Sequence, residues 1–184
     1  VFKWDEFVDL ALYGAVRGLE GQSGGVAGPS TAALQSELTF GPLHLPRIET
    51  ERLVLRPMDE DDVPRLAEIC NDPELAKATD GIDIPYTEAR ARKFIMSSLK
   101  EAAEGKAAVF GIERRDTGRL IGDIGIWHLD PYHRRGYLGC VIARAEWNRG
   151  HATEALWGLL GYAFDVLELH RVDGGCLSWH TASA

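Results

Sequence analysis

The residues best placed to do chemistry run from Tyr137 to Leu156, YLGCVIARAEWNRGHATEAL. An apolar, strand-like stretch passes through a short turn, WNRGHA, straight into an amphipathic helix. Such a turn leaves backbone N–H groups without acceptors at the positive end of a helix dipole, which makes an anion site. Gly150 removes the side chain where a phosphate would approach, and Arg149 can add a charge. A plain strand-to-helix connection with a convenient glycine has the same composition, so spacing alone leaves both readings open. Two other motifs compete. Gly21-Gln22-Ser23-Gly24-Gly25 fits the G-x-S-x-G nucleophile elbow, which needs a buried strand before it and a helix after it. Here it lies in a glycine-rich stretch and reads as linker. Arg134-Arg135 reads as a solvated pair between strands, or as a small anion patch.

The elements that must position these residues belong to a chain of 184 residues, enough for one α/β domain with a sizeable core. Hydrophobic residues make up 45% and charged residues 26%, which excludes wholesale disorder, a collagen-like fibre and a multi-span membrane protein. The 28 acidic residues against 20 basic give a net charge of −8, which argues against nucleic acid as a partner. Cys70, Cys140 and Cys176 are odd in number, far apart and without C-x-x-C spacing. They predict free thiols in a reducing cytoplasm, with neither a disulfide framework nor a metal site. Asp5, Glu6 and Asp9 interrupt the first apolar stretch, and Glu154 and Asp165 interrupt the helical stretch 152–167. Neither reads as a signal core or a membrane span, so no membrane partner is expected.

Leu53-Val54-Leu55 reads as the first core strand. Asp59 is a helix N-cap, with more acids in the first turn, and Pro64 sets the true start a residue or two later. Val63, Leu66, Ile69 and Cys70 share one helical face, and Asn71-Asp72-Pro73 stops the helix. Thr87-Glu88 starts a second helix, with Phe94, Ile95 and Leu99 on its apolar side, and Gly105 ends it. Residues 107–115 and 119–129 form a hairpin around Asp116-Thr117-Gly118. Residues 137–143 form a further strand, apolar enough to be buried. The helix after Gly150 carries Ala152, Ala155, Leu156, Leu159, Leu160, Ala163, Phe164 and Leu167 at helical spacing, and residues 170–177 form a last strand. The order is β-α-α-β-β-β-α-β.

WNRGHATEAL resembles the acetyl-CoA pyrophosphate loop of the GNAT N-acetyltransferases, Q/R-x-x-G-x-G/A, with Trp147, Gly150 and Ala152 at its defining places. Trp147 and the following Thr-Glu-Ala are typical of the branch related to the ribosomal-protein N-terminal acetyltransferases. IETERLVLRPMDEDD (48–62), GDIGIW (122–127) and HRVDGGCL (170–177) resemble that branch's first strand and helix start, third strand and fifth strand. The resemblance covers roughly residues 46–184. It implies an α/β (α+β) fold, a mixed and mostly antiparallel twisted sheet flanked by helices. A cofactor cleft opens where the fourth and fifth strands splay apart. It implies transfer of an acetyl group from acetyl-CoA to a primary amine acceptor, a protein N-terminus or a small molecule. Backbone N–H groups of Cys140, Val141, Ile142 and Ala143 would hold the pantetheine and polarise the thioester. Trp147, Asn148, Arg149, Gly150, His151, Ala152 and Thr153 would hold the pyrophosphate.

The general base stays open. The branch often carries Glu where Tyr137 stands, which leaves Glu146, His128, His133 or a water chain. In the family's N-x-x-S pattern after the fifth strand, His180 stands at the Asn and Ser183 at the Ser. Ser183 could donate toward the departing thiolate, while His180 departs from the usual coenzyme contact. A domain that binds an acyl-CoA or a partner without catalysis is the alternative.

The family continues beyond the position of Ser183 through a short helix and further strands, and those elements are not found after it. Residues 1–16, with Trp4, Asp9, Leu12 and Tyr13, resemble the family's last strand. Three readings stay open: a circularly permuted order, a piece spanning the end of one such domain and the start of another, or an unrelated N-terminal strand. Read as the family's last strand, residues 1–13 are expected to pair with residues 170–177. Gly14 to Gly28 contains six glycines, and the stretch 17–45 reads as linker. Two copies exchanging that strand would form a homodimer.

Overall fold

The computed structural model describes residues 7–12, 39–79 and 81–177. Seven strands form one sheet: β1 Phe7–Leu12, β2 Ile48–Glu49, β3 Leu53–Arg56, β4 Ala108–Arg114, β5 Leu120–Asp130, β6 Arg135–Ile142 and β7 Arg171–Leu177. Their spatial order is β1-β7-β6-β5-β4-β3-β2. Every neighbouring pair is antiparallel except β6 with β7, which is parallel. This is the mixed, mostly antiparallel sheet that the resemblance implies. The helices are α1 Val63–Cys70, α2 Pro73–Ala78, α3 Glu88–Ala103 and α4 His151–Gly161.

Strand alternation sorts the core into two layers. Leu53, Leu55, Phe110, Ile112, Ile124 and Ile126 meet Ala155, Leu159 and Leu160 of α4 on one face. On the other, Val109 and Leu120 meet Val63, Leu66 and Ile69 of α1 and Ala91 and Ile95 of α3. Asp59 caps a 3₁₀ turn over Glu60–Asp62 that runs into α1, and Pro64 lies in the first turn, as its missing N–H requires. Asp62 is buried, and Arg56 satisfies it with bonds of 2.7 and 2.8 Å. Thr87 caps α3.

Two expectations need correction, and one helix was not expected. The helix from Val63 ends at Cys70 with Asn71 as its C-cap, as Asn71-Asp72-Pro73 implies. Asp72 accepts from the N–H groups of Glu74 and Leu75, so Pro73 becomes the first residue of α2, where proline is pre-organised. The helix expected over 152–167 ends as α at Gly161 and continues as a π turn over Tyr162–Val166, with Leu167 N–H donating to the Tyr162 carbonyl. β6 is apolar but not buried along its length: Tyr137 is exposed, and Leu138, Gly139 and Val141 are half-buried. The cause is the departure of β7, described below.

The strand expected near the N-terminus is β1, and it pairs with β7 from Phe7 opposite Leu177 to Leu12 opposite Val172. Residues 1–6 and 13–38, which include Trp4, Tyr13, most of the expected linker 17–45 and the G-x-S-x-G motif, lie outside the described residues. Phe40, Leu43 and Leu45 pack against the α4-side core, Leu43 N–H donates to the Ala102 carbonyl, and the Tyr162 hydroxyl donates to the His44 carbonyl. Among the described residues no helix is long and apolar enough to cross a membrane.

Close approach of β5 and β6 depends on Gly122. A Cβ there would overlap the Val141 carbonyl oxygen, a backbone atom that cannot yield without separating the strands. Gly122→Ala is expected to destabilise the domain by about 3 kcal/mol, the upper range for overpacking. Chemical denaturation measures this, and an unchanged midpoint would contradict the closeness of the two strands.

Candidate active site

β6 and β7 pair only from Arg135 opposite Arg171 to Leu138 opposite Gly174. Beyond Leu138 the β7-facing edge of β6, residues 139–142, has no strand partner among the described residues. Cys140, Val141 and Ile142 lie on that stretch, and Ala143 closes it by donating to the Ile121 carbonyl at 2.7 Å. An unpaired strand edge is a row of donors and acceptors ready for an extended ligand. The β5 side of residues 137–142 stays laddered without interruption, so the edge is held rigidly.

The loop after β6 is fixed by Trp147, whose indole N–H donates to the Ile142 carbonyl at 2.7 Å while the ring packs against both core layers. Asn148 (φ 59°) and Gly150 (φ 76°) are both left-handed, and Gly150 is the N-cap of α4. No side chain caps this helix. The N–H groups of residues 148–153 have no acceptor among the described residues. Six consecutive donors at a dipole's positive end form an anion cradle next to the open edge.

A clamp that the sequence did not single out sets the cradle in place. Glu154, in the first turn of α4, accepts from the Thr50 hydroxyl, the Arg52 N–H and the Arg52 Nε, each at 2.6 Å. Burial works to raise the Glu154 carboxyl, but these donors outweigh it and hold it below the usual range. Arg52 in turn donates to the Arg149 carbonyl at 2.9 Å, which places its guanidinium beside Gly150.

Glu146 sits on a 3₁₀ turn, Arg144–Glu146, between Arg114 and Arg149, each 3.4 Å away. His151, buried at the start of α4, has its Nδ1 3.2 Å from Glu146 Oε2 without a hydrogen bond. Glu146 is thus a charge-paired residue at the anion end of the site. His128 and His133 stand at the far β5–β6 hairpin, where both are exposed and His133 is held by Asp130. Tyr137 is on β6 opposite Trp127. Ala152 and Thr153 are exposed on the first turn of α4. His180 and Ser183 lie outside the described residues.

On the α1–α3 face of β6 the structure adds a residue that sequence reasoning passed over. Asp123 on β5 lies opposite Val141, on the same face as Trp127 and Tyr137. It is 5% exposed, and burial raises its carboxyl to about 7. The signal was available: one charged residue inside the otherwise apolar run LIGDIGIW. Beside it, the Trp127 ring lies against Gly125 and Gly139, at distances that a Cβ on either would crowd. Among the described residues no group of His, Cys, Asp and Glu is arranged to hold a metal ion.

Residues 52–184 match the family model described as an acetyltransferase (GNAT) domain. The chain belongs to the GNAT acetyltransferase family. It is 34% identical over 125 residues to the uncharacterized N-acetyltransferase p20 of Bacillus licheniformis, a match covering 67% of this chain and 69% of that one. A solved GNAT-family acetyltransferase from Bacillus anthracis superposes with a TM-score of 0.63 at 26% identity, covering 74% of this chain and 76% of the other. RimL, a ribosomal L7/L12 α-N-protein acetyltransferase solved with coenzyme A disulfide-bonded to a cysteine, shares the fold. Its TM-score is 0.66 at 21% identity, with 76% of this chain and 77% of RimL covered. In this GNAT domain the open joint of β6 and β7 leads into the uncapped start of α4.

Proposed function

We propose that this GNAT domain uses acetyl-CoA as co-substrate and transfers its acetyl group to a primary amine by direct attack. The observation that carries the reading is the junction of the open β6 edge with the unsatisfied N–H groups of residues 148–153. The pyrophosphate would accept from those groups, with Arg149 adding charge and Arg52 holding the loop. The pantetheine would run along residues 140–143, where β6 N–H groups polarise the thioester carbonyl. Donors fixed in advance at a developing oxyanion are the largest catalytic contribution most such sites make. The acceptor, a protein N-terminus or a small-molecule amine, would enter over Tyr137 and Trp127 from the α1–α3 face. Ser183 is proposed to protonate the departing thiolate and His180 to lie beside the coenzyme. The free cysteines suit a reducing cytoplasm, and exchange of β1 between two copies is the form of homodimer proposed.

The test is thiol release from acetyl-CoA with a panel of a polyamine, an amino-acid amide, an aminoglycoside and a peptide with a free N-terminus. Release with one of them is expected, and none with any would overturn the reading. Tyr137 takes the place of the strand carboxylate and is not required to move the proton. Tyr137→Phe should keep kcat/KM within about tenfold, whereas loss of a general acid–base group costs about a hundredfold or more. A loss of that larger size would make the Tyr137 hydroxyl the proton carrier instead.

A further inference from the structure

Among the described residues, Asp123 is the one strongly buried carboxylate that the fold leaves without a counter-charge. Asp62, buried to the same degree, is bonded twice by Arg56. Asp123 has no hydrogen bond or ion pair among the described residues. Yet its oxygens are not sealed: the only sealed side-chain polar atom lacking a partner among those residues is His151 Nδ1. A carboxylate both unpaired and still reachable by water is an unstable thing to keep in a core, and stability gives no reason for it. Its position does. It projects from β5 on the α1–α3 face, opposite Val141, behind the part of β6 that β7 abandons.

We propose that Asp123 takes the proton from the acceptor ammonium, directly or through one water; the inference rests on the acetyl-transfer reading and names its base. The carboxylate removes one proton from R–NH3+, leaving R–NH2. The nitrogen lone pair attacks the thioester carbonyl carbon and the C–N bond forms. The C–S bond breaks, with its electron pair leaving on sulfur. The nitrogen and protonated Asp123 each release a proton to water, and the thiolate takes up one proton. The sum is R–NH3+ plus acetyl-CoA giving the amide, coenzyme A and one proton.

The surroundings fit a base that titrates in the working range. Three groups feel its charge: Cys70 of α1, Tyr86 before α3, and Cys140 of β6. Burial first, and then Asp123, pushes the Cys70 thiol up to about 12. Burial first, then Cys70 and Asp123, pushes the Tyr86 hydroxyl up to about 12. All three therefore stay neutral near pH 7 and leave Asp123 as the acceptor. Arg90, whose guanidinium lies 4.9 Å from the Tyr86 ring centroid, opposes both shifts but makes no contact with Asp123. Burial raises the Asp123 carboxyl to about 7, near the optimum for a general base at neutral pH.

The test compares the full chain with Asp123→Asn across pH, using thiol release with the same amine panel. For the wild type, kcat/KM should carry an acidic limb with its midpoint near 7. In Asp123→Asn that limb should vanish, kcat/KM at pH 7 should fall by about a hundredfold or more, and the residual rate should climb as the amine itself deprotonates. Coenzyme A affinity by calorimetry should stay within about threefold, since the carboxylate is on the acceptor side. An unchanged pH profile, or an equal loss of coenzyme affinity, would overturn the assignment. In parallel, the Asp123 carboxyl carbon is titrated by NMR in the wild-type chain, with and without coenzyme A and a panel amine. A shift of its midpoint on adding the amine supports the proposal, and an unmoved midpoint overturns it even where no variant folds. Absence of thiol release with every amine, beside a shifted midpoint, would fault the transfer reading and not the acceptor position.

Discussion

Gly150→Glu is expected to weaken coenzyme A binding by at least a hundredfold, with the fold intact. Two effects combine. A residue other than glycine at φ 76° is strained by about 1–2 kcal/mol. A carboxylate beside the pyrophosphate adds a repulsion of about 4 kcal/mol for one unit charge at 4 Å in a surface-like dielectric, less whatever salt screens. About 1.4 kcal/mol is a factor of ten, so the sum exceeds two decades. Gly150→Ala separates the two. Its Cβ meets nothing nearer than the Arg52 guanidinium at 3.5 Å, an ordinary contact, so only the strain remains and the loss should be about tenfold. Calorimetry with coenzyme A measures both variants. Equal affinity in Gly150→Glu and the wild type would remove the pyrophosphate from the start of α4.

The buried Asp123 carboxylate should make the stability difference between the wild type and Asp123→Asn strongly dependent on pH. Its carboxyl is raised from an ordinary 3.8 to about 7, so the folded state binds the proton more tightly than the unfolded state. The stabilisation from that proton is complete below about 3.8. It is lost steadily as pH rises and is gone above about 7. At about 1.4 kcal/mol per pH unit, the wild type loses about 4 kcal/mol relative to Asp123→Asn across that window. The subtraction matters, because other carboxylates work in the opposite direction. Arg56 holds Asp62 below the usual range against its burial, and Glu154 is held low by Thr50 and Arg52. Those contributions are common to both proteins and cancel. Denaturant unfolding at pH 4 and pH 8 gives the four free energies, and a pH-independent difference would place Asp123 in water.

Much of this architecture is legible in the sequence. The caps Asp59 and Thr87, the hairpin turn at 116–118 and the 3.6-residue period of α4 are local signals, and local hydrogen bonding decides them. The glycine at the start of α4 was legible for the same reason. Asn71-Asp72-Pro73 stops α1 as read, but α2 was missed because a stop and an N1 position look alike until the side chain of Asp72 is placed. The exposure of β6 was hidden, since composition reports what a strand could bury and not whether its neighbour stays alongside. The clamp of Glu154 on Thr50 and Arg52 joins residues over a hundred positions apart, and no local pattern encodes it. Asp123 was visible as a breach of apolar patterning, but its meaning came only from the sheet that surrounds it.

The abandoned edge of β6 has a consequence for the lifetime of the protein. Backbone groups that a sheet would normally pair are left for a metabolite to complete, so on the proposed function the coenzyme serves as a missing length of strand. A ligand bound only by the folded state adds about 2.7 kcal/mol at a hundred times its Kd, a large share of a small domain's margin against unfolding and proteolysis. Abundance of the chain would then follow the supply of activated acetyl groups, with turnover fastest when its own co-substrate is scarce.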